Sequence, residues 1–188
     1  MFYGWIVVAA THAVLVVIFG VAYSFAAFFV PLEQEFTASR GDVALVFALC
    51  GFLHFPVGAF AGQLADRFGP RRVVLAGIPF LALGLAAASR ADSLAALYVT
   101  YSIGIGLGVG CAYVPSVGAV QPWFIARRGL ASGRAVAGIG VGNFVVPLIA
   151  AELAQAFGWR RSFEILAAGA LVLGGAAALL IENRPQAR

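Results

Sequence analysis

The sequence predicts an all-α integral membrane protein, on three observations. Of its 188 residues, 62% are apolar before glycine is counted and 11% are charged. An average soluble domain is about 45–50% apolar with glycine included and about 25% charged, so no soluble core could bury this much apolar surface. The apolar residues also fall into six long runs with short polar connectors, and a helix needs about 20 such residues to cross a bilayer. Finally, the chain repeats itself. Leu64-Ala-Asp-Arg-Phe-Gly-Pro-Arg-Arg72 and Leu153-Ala-Gln-Ala-Phe-Gly-Trp-Arg-Arg161 agree at six of nine positions, 89 residues apart, and Ala22-Tyr23 matches Ala112-Tyr113 at an offset of 90. An odd number of spans separates the copies, which places them on opposite membrane faces, an inverted three-plus-three repeat.

The expected spans are 4–31, 43–65, 73–89, 94–121, 130–157 and 163–181, forming one six-helix domain over residues 1–188. The first run begins at Gly4-Trp5 with no basic residue before it and continues too far for a cleavable signal. After it, the connector Glu33–Asp42 carries the polar capping residues Thr37 and Ser39. The second run holds Cys50, His54 and Pro56 and ends in Gly62-Gln-Leu-Ala-Asp66-Arg67-Phe-Gly69-Pro-Arg71-Arg72. There Gly69-Pro70 must end a helix, since glycine accepts a left-handed cap and proline cannot continue the hydrogen-bond ladder.

Glycines are dense in the fourth and fifth runs. Gly104/Gly108 and Gly138/Gly142 put small residues on one helix face, which lets backbones approach closely. A dinucleotide loop would need a strand before it, and a span offers none. Pro79, Pro115 and Pro147 are expected to bend their spans. Trp5, Trp123 and Trp159 fall at run ends, where interfacial anchors belong.

The net charge of +4 comes from twelve arginines against eight acids, with no lysine. Scattered between apolar runs, these arginines report topology rather than nucleic-acid binding. Placing the N-terminus inside puts Arg67, Arg71, Arg72, Arg127, Arg128, Arg184 and Arg188 on the cytoplasmic side, and Arg40, Arg90, Arg160 and Arg161 outside. The bias favours both termini inside. Cys50 and Cys111 lie within runs and suggest neither a disulfide nor a metal site; no metal or cofactor is expected. No nucleophile–base constellation recurs at usable spacing, so an enzyme is not expected.

The stretch Gly62–Arg72 resembles the loop between the second and third helices of major facilitator superfamily transporters, Gly-x-Leu-x-Asp-Arg-x-Gly-x-Arg-Arg, at every fixed position. The resemblance makes Gly62, Asp66, Arg67, Gly69, Arg71 and Arg72 a cytoplasmic gating motif. A second stretch, Trp123-Phe-Ile-Ala-Arg127-Arg128-Gly-Leu-Ala-Ser-Gly133-Arg134-Ala-Val-Ala-Gly138, is similar to the fifth-helix signature of monocarboxylate transporters and of bacterial oxalate–formate antiporter relatives. Ala126 and Arg134 depart from that signature, and Tyr23 lies near the place of the first-helix lysine of animal carriers.

The resemblance implies a secondary carrier of small organic anions, coupled to protons or to exchange, in a bacterial cytoplasmic membrane. Such carriers have twelve spans, so this chain corresponds to an N-terminal half that needs a C-terminal half or a second copy. The alternatives are a non-transporting membrane fragment or assembly partner, and a carrier of another substrate class.

Polar groups inside spans are the candidate substrate or coupling residues, because burying them in lipid is costly. Tyr23 and Tyr113 are repeat mates on opposite sides of the midplane, read as outer and inner gates or as packing tyrosines. His12 and His54 either carry protons or close interhelical hydrogen bonds. Arg134, one turn inside the fifth span, pairs with an anion or with Asp66, or snorkels to the interface. Asn143 is a cavity hydrogen-bonder on the same helix, and Glu152 a further acid.

Overall fold

A computed structural model describes residues 3–182. Arg184, Pro185 and Arg188 lie outside the described residues. Every element among the described residues is helical: α1 (Tyr3–Tyr23), α2 (Phe25–Glu35), α3 (Arg40–Phe68), α4 (Pro70–Ala88), α5 (Leu94–Leu97), α6 (Gly104–Val120), α7 (Arg128–Gly169) and α8 (Gly175–Leu179). π-helical turns at Tyr98–Ile103 and Ala170–Gly174 join α5 to α6 and α7 to α8. By length and composition, five continuous rods can cross a membrane: Tyr3–Glu35, Arg40–Phe68, Pro70–Ala88, Leu94–Trp123 and Arg128–Leu179.

The fifth rod is not straight. Gly158 has φ 76° and ψ 165° within α7, and Gly69, between α3 and α4, has φ 86° and ψ 144°. These two glycines are repeat mates, and only glycine holds this conformation without steric cost. The chain reverses at Gly158. His12 of α1 meets the first limb at Arg134 and Gly138, while Trp159 and Phe163 of the second limb pack on Phe36 and Phe28 of α2. The second limb then returns to the chain start, where the Tyr3 hydroxyl donates to the Leu180 carbonyl at 3.3 Å. Each limb, 128–157 and 159–179, has the roughly 20 residues that a span requires.

Helices overrun the apolar runs wherever a cap, not hydropathy, sets the boundary. At the start of α3, the Ser39 hydroxyl accepts from the Asp42 N–H at 3.2 Å, and the Asp42 carboxylate accepts from the Ser39 N–H at 3.3 Å. This capping box begins the helix three residues ahead of the apolar run. The other predicted cap, Thr37, ends α2. It takes φ 48°, and the Ala38 N–H reaches back to the Glu33 carbonyl at 3.1 Å. That is a Schellman closure with threonine where glycine is usual.

Glycines bring the rods together as matched pairs. A Cβ at Gly142 would sit 2.9 Å from Val16 Cα, and one at Gly138 would sit 3.1 Å from His12 Cα, so α1 and α7 touch backbone to backbone. A Cβ at Gly106 would meet Leu53 Cβ at 2.9 Å, and one at Gly110 would meet Val57 Cγ1 at 2.6 Å, so α6 lies as close to α3. The contacts are repeat mates. Val16–Gly142 maps onto Gly106–Leu53, and Gly20–Val146 maps onto Gly110–Val57, at offsets of 90 and 89. Gly104 and Gly108 use the other face of α6, against Gly84 and Leu81 of α4. Gly133 and Gly140 meet no neighbour within 4 Å.

An arginine closes each end of the bundle. Arg160 donates to the Ala91 carbonyl at 2.7 Å, the Ser89 carbonyl at 3.2 Å and the Glu35 carboxylate at 3.0 Å, capping the C-terminus of α4. Its repeat mate Arg71 pairs with Glu182 at the opposite end, at 3.7 Å. Trp159 differs from its predicted role. At 6% exposure it is a core residue, stacked under the Arg160 guanidinium at 4.3 Å, because the aromatic cluster with Phe36 and Phe163 covers it.

Candidate functional site

The same repeat arranges the polar residues of the spans. Asn143 follows Gly142, which packs on Val16, and His54 follows Leu53, which packs on Gly106. His54 and Asn143 are therefore repeat mates on α3 and α7. The antiparallel pair α1 and α6 supplies a depth scale. The Thr11 hydroxyl donates to the Ser116 carbonyl at 3.1 Å, and the Tyr101 hydroxyl donates to the Ala22 carbonyl at 3.2 Å. On that scale Val16 and Gly106 lie within about one helical turn (~5.4 Å) of the same depth. His54 and Asn143 thus sit near the middle of the bundle on its two flanking helices.

The tyrosines lie on either side of this level. Tyr23 is seven residues past Val16 and Tyr113 seven past Gly106, each about 10 Å along its helix at 1.5 Å per residue. Because the helices are antiparallel, the displacements are opposite. Phe19 spans the interval: its ring meets Tyr113 edge-on at 5.2 Å (89°) and lies 6.4 Å from Tyr23, which in turn packs on Phe47 at 5.4 Å. Phe19 and Phe47 were not among the sequence candidates. The spacing of Phe19, one turn before Tyr23 on the same face, is the signal that points to it.

Among the described residues, the Asn143 amide oxygen is the single buried side-chain polar atom with no hydrogen-bond partner. An acceptor left unsatisfied in a low-dielectric interior costs about 1–3 kcal/mol, which makes it a place where a donor is wanted. The His54 ring lies against Phe55 at 4.1 Å and is half-buried. Neither histidine has an ion pair among the described residues. His12 Nδ1 lies 2.8 Å from the Arg134 carbonyl and so carries its proton there, tying α1 to α7.

Arg134 lies elsewhere. It is nine residues before Asn143, about two and a half turns, and so projects from the opposite face of α7. Its guanidinium stacks on the Trp5 ring at 5.1 Å, near the chain start. Glu152 is exposed.

The stretch Gly62–Arg72 occupies the turn from α3 into α4. Asp66 is exposed in the last turn of α3 and makes no ion pair among the described residues; the Arg67 guanidinium lies 5.2 Å over Phe68. A carboxylate at a helix C-terminus opposes the local dipole, so Asp66 stands uncompensated. Of the arginines here, Arg71 reaches Glu182 and Arg72 is exposed. In the second signature, Arg127 precedes α7, the Arg128 Nε donates to the Phe124 carbonyl at 2.8 Å, Gly133 is free of neighbours and Gly138 carries the close approach to α1.

The exposed surface is unevenly shared. On α3, Phe52, Phe55 and Phe60 are 73%, 72% and 66% exposed; on its repeat mate, the first limb of α7, Phe144 is 71% exposed.

Residues 12–188 match the family described as Major Facilitator Superfamily. Monocarboxylate transporter 14 of Mus musculus is 31% identical over 98% of this chain and 38% of its own length. Monocarboxylate transporter 13 of Bos taurus is 32% identical over 95% of the chain and 42% of its own. A crystal structure of a mutant peptide transporter POT in complex with alafosfalin superposes with a TM-score of 0.78 at 20% identity, covering 92% of this chain and 37% of that one. The chain thus spans about two-fifths of the length of these relatives.

Proposed function

The chain belongs to the major facilitator superfamily, and from that premise we propose that it forms the N-terminal six-span half of a secondary carrier for small organic anions. Membership makes it an integral membrane transporter-family protein and not an enzyme. The substrate class comes from the relatives, which are named for monocarboxylates. Six spans follow if the two limbs at Gly158 each cross the bilayer, and the arginine bias orients both termini inside a bacterial cytoplasmic membrane.

The observation that carries the reading is the unsatisfied Asn143 oxygen at mid-depth, repeat-paired with the titratable His54. A protonated carboxylic acid, or a proton-carrying water, offers the donor that this oxygen lacks, and an imidazole can take up and release a proton. Tyr23 and Tyr113, held by Phe19, then close the passage outside and inside this level. Substrate waits between them. Asp66, uncompensated in the last turn of α3, is free to meet the positive N-terminal end of a helix from a second six-helix unit. The exposed aromatic faces of α3 and α7 give that unit, a separate C-terminal half or a second copy, its surface.

The test is uptake of radiolabelled lactate, oxalate and formate into proteoliposomes, with and without a pH gradient. It is run on the chain at one copy per vesicle, at several copies, and with a C-terminal half. Saturable flux only in the latter two settings is the expected result. Saturable flux from single copies refutes the half-carrier reading, and no flux in any setting refutes the carrier.

A further inference from the structure

At the arginine-rich end of the bundle, an apolar groove of about 330 Å³ opens between α1 and α8. Its walls include Trp5, Ala9 and Ala13 from α1 and Ala177 and Leu180 from the far end of the chain. Its lining is apolar throughout, and one wall residue, Trp5, carries a cation on its ring. The Arg134 guanidinium lies over the Trp5 ring at 5.1 Å, on the face of α7 opposite Asn143, and is exposed. No carboxylate pairs with Arg134 among the described residues. The cation is therefore held by an aromatic platform with its N–H groups unspent, directly beside a slot for hydrocarbon.

These features ask for one molecule with an anionic head and an apolar tail. We propose that this groove binds an anionic glycerophospholipid, with an acyl chain along Ala9, Ala13 and Ala177 and its phosphate on Arg134. A tryptophan at headgroup depth and a guanidinium with fixed donors suit a phosphodiester, which accepts bidentate hydrogen bonds. The surrounding charge has the matching sign. Arg67, Arg72, Arg127 and Arg128 lie at this end, and none of them is ion-paired among the described residues, so the local potential favours an anionic lipid over a zwitterionic one. A soluble phosphate would satisfy Arg134 and leave the groove empty. The apolar walls therefore favour the lipid. This site is independent of the transport reading, since it uses the opposite face of α7.

The experiment uses the full chain carrying Trp123→Phe and Trp159→Phe, which leaves Trp5 as the sole tryptophan. It is reconstituted in phosphatidylcholine vesicles containing either phosphatidylglycerol or phosphatidylcholine brominated on upper acyl carbons, and Trp5 fluorescence quenching is titrated. Brominated phosphatidylglycerol should quench with an apparent affinity about fivefold higher, as one arginine near an anionic surface supplies. Arg134→Gln should abolish that preference and leave quenching by brominated phosphatidylcholine unchanged, and Arg134→Lys should retain part of it. Ala9→Phe, at an exposed position, fills the groove and should weaken quenching by both lipids even if the Arg134 variants fail to insert. Equal quenching by the two lipids in the parent overturns the proposal, as does a preference that survives Arg134→Gln or quenching unaffected by Ala9→Phe. Relief of quenching by millimolar glycerol phosphate also overturns it, by assigning the site to a soluble anion.

Discussion

One added methyl group at Gly142 should loosen the bundle, and the same methyl group two residues away at Gly140 should not. A Cβ on Gly142 would lie 2.9 Å from Val16 Cα and 3.0 Å from the Val16 carbonyl carbon. Carbon atoms rest at about 3.5–4.0 Å, so α1 and α7 would have to part by roughly 0.5–1 Å. The obstructing atoms are backbone and cannot rotate aside. Overpacking of this kind costs about 1–3 kcal/mol. A Cβ on Gly140 would meet no heavy atom of a neighbouring element within 4 Å. Both glycines are in the same helix, so the gain in helix propensity, about 1 kcal/mol, cancels in the comparison. Gly142→Ala should therefore be about 1–3 kcal/mol less stable than Gly140→Ala. The assay is reversible unfolding of detergent-solubilised protein in sodium dodecyl sulfate, followed by circular dichroism and tryptophan fluorescence. If the two variants agree within about 0.5 kcal/mol, the backbone contact is not what joins these helices.

Removing the capping box with Ser39→Ala should cost about 1 kcal/mol, read in the same unfolding assay, while Ser39→Asp should recover most of it. Arg160→Ala removes a guanidinium whose side chain is 40% exposed. Discounted for solvent screening, its bonds to two carbonyls and a carboxylate are worth about 1–2 kcal/mol, measurable as a shift in the unfolding midpoint. In the assembled carrier, His54→Asn should leave substrate binding within a few-fold of the parent and abolish the response of uptake to a pH gradient. That outcome is checked by uptake at fixed internal and varied external pH.

How far the sequence foretells this structure depends on which force sets each feature. The all-helical membrane class was legible because bilayer burial needs long apolar runs, and the repeat because Leu64–Arg72 and Leu153–Arg161 share a turn glycine whose conformation few other residues adopt. The small-residue faces were half legible. Gly138 and Gly142 do meet α1, and the run Gly104–Gly110 serves two partners at once, α4 through Gly104 and Gly108 and α3 through Gly106 and Gly110. Spacing alone cannot say which glycines have a neighbour, so Gly133 and Gly140 look no different in the sequence. Trp159 read as an interfacial anchor because position along a run says nothing of what packs around it. Arg134 sits on the Gly138/Gly142 stripe by spacing. Its stacking on Trp5 depends on how α1 lies against α7, which is a tertiary fact.

The repeat makes the geometry of the proposed passage symmetric and leaves its chemistry asymmetric. Val16 against Gly142 and Gly106 against Leu53 set two flanking helices at matching depth, and Tyr23 and Tyr113 stand equally far to either side. Yet the next residue is Asn143 on one arm and His54 on the other. One arm offers a permanently neutral acceptor, the other an imidazole that can gain or lose a proton. A charge on His54 would fall on α3, whose backbone packs on Gly106 and Gly110 of α6, and its mate Asn143, on α7 against α1, would carry none. A charge on one arm and not on the other would separate two packings that the repeat relates. A ligand shifts an equilibrium only by its differential affinity for the two states. On the proposed carrier reading the differential would come from His54, and the unsatisfied Asn143 oxygen would be the fixed point against which substrate is held.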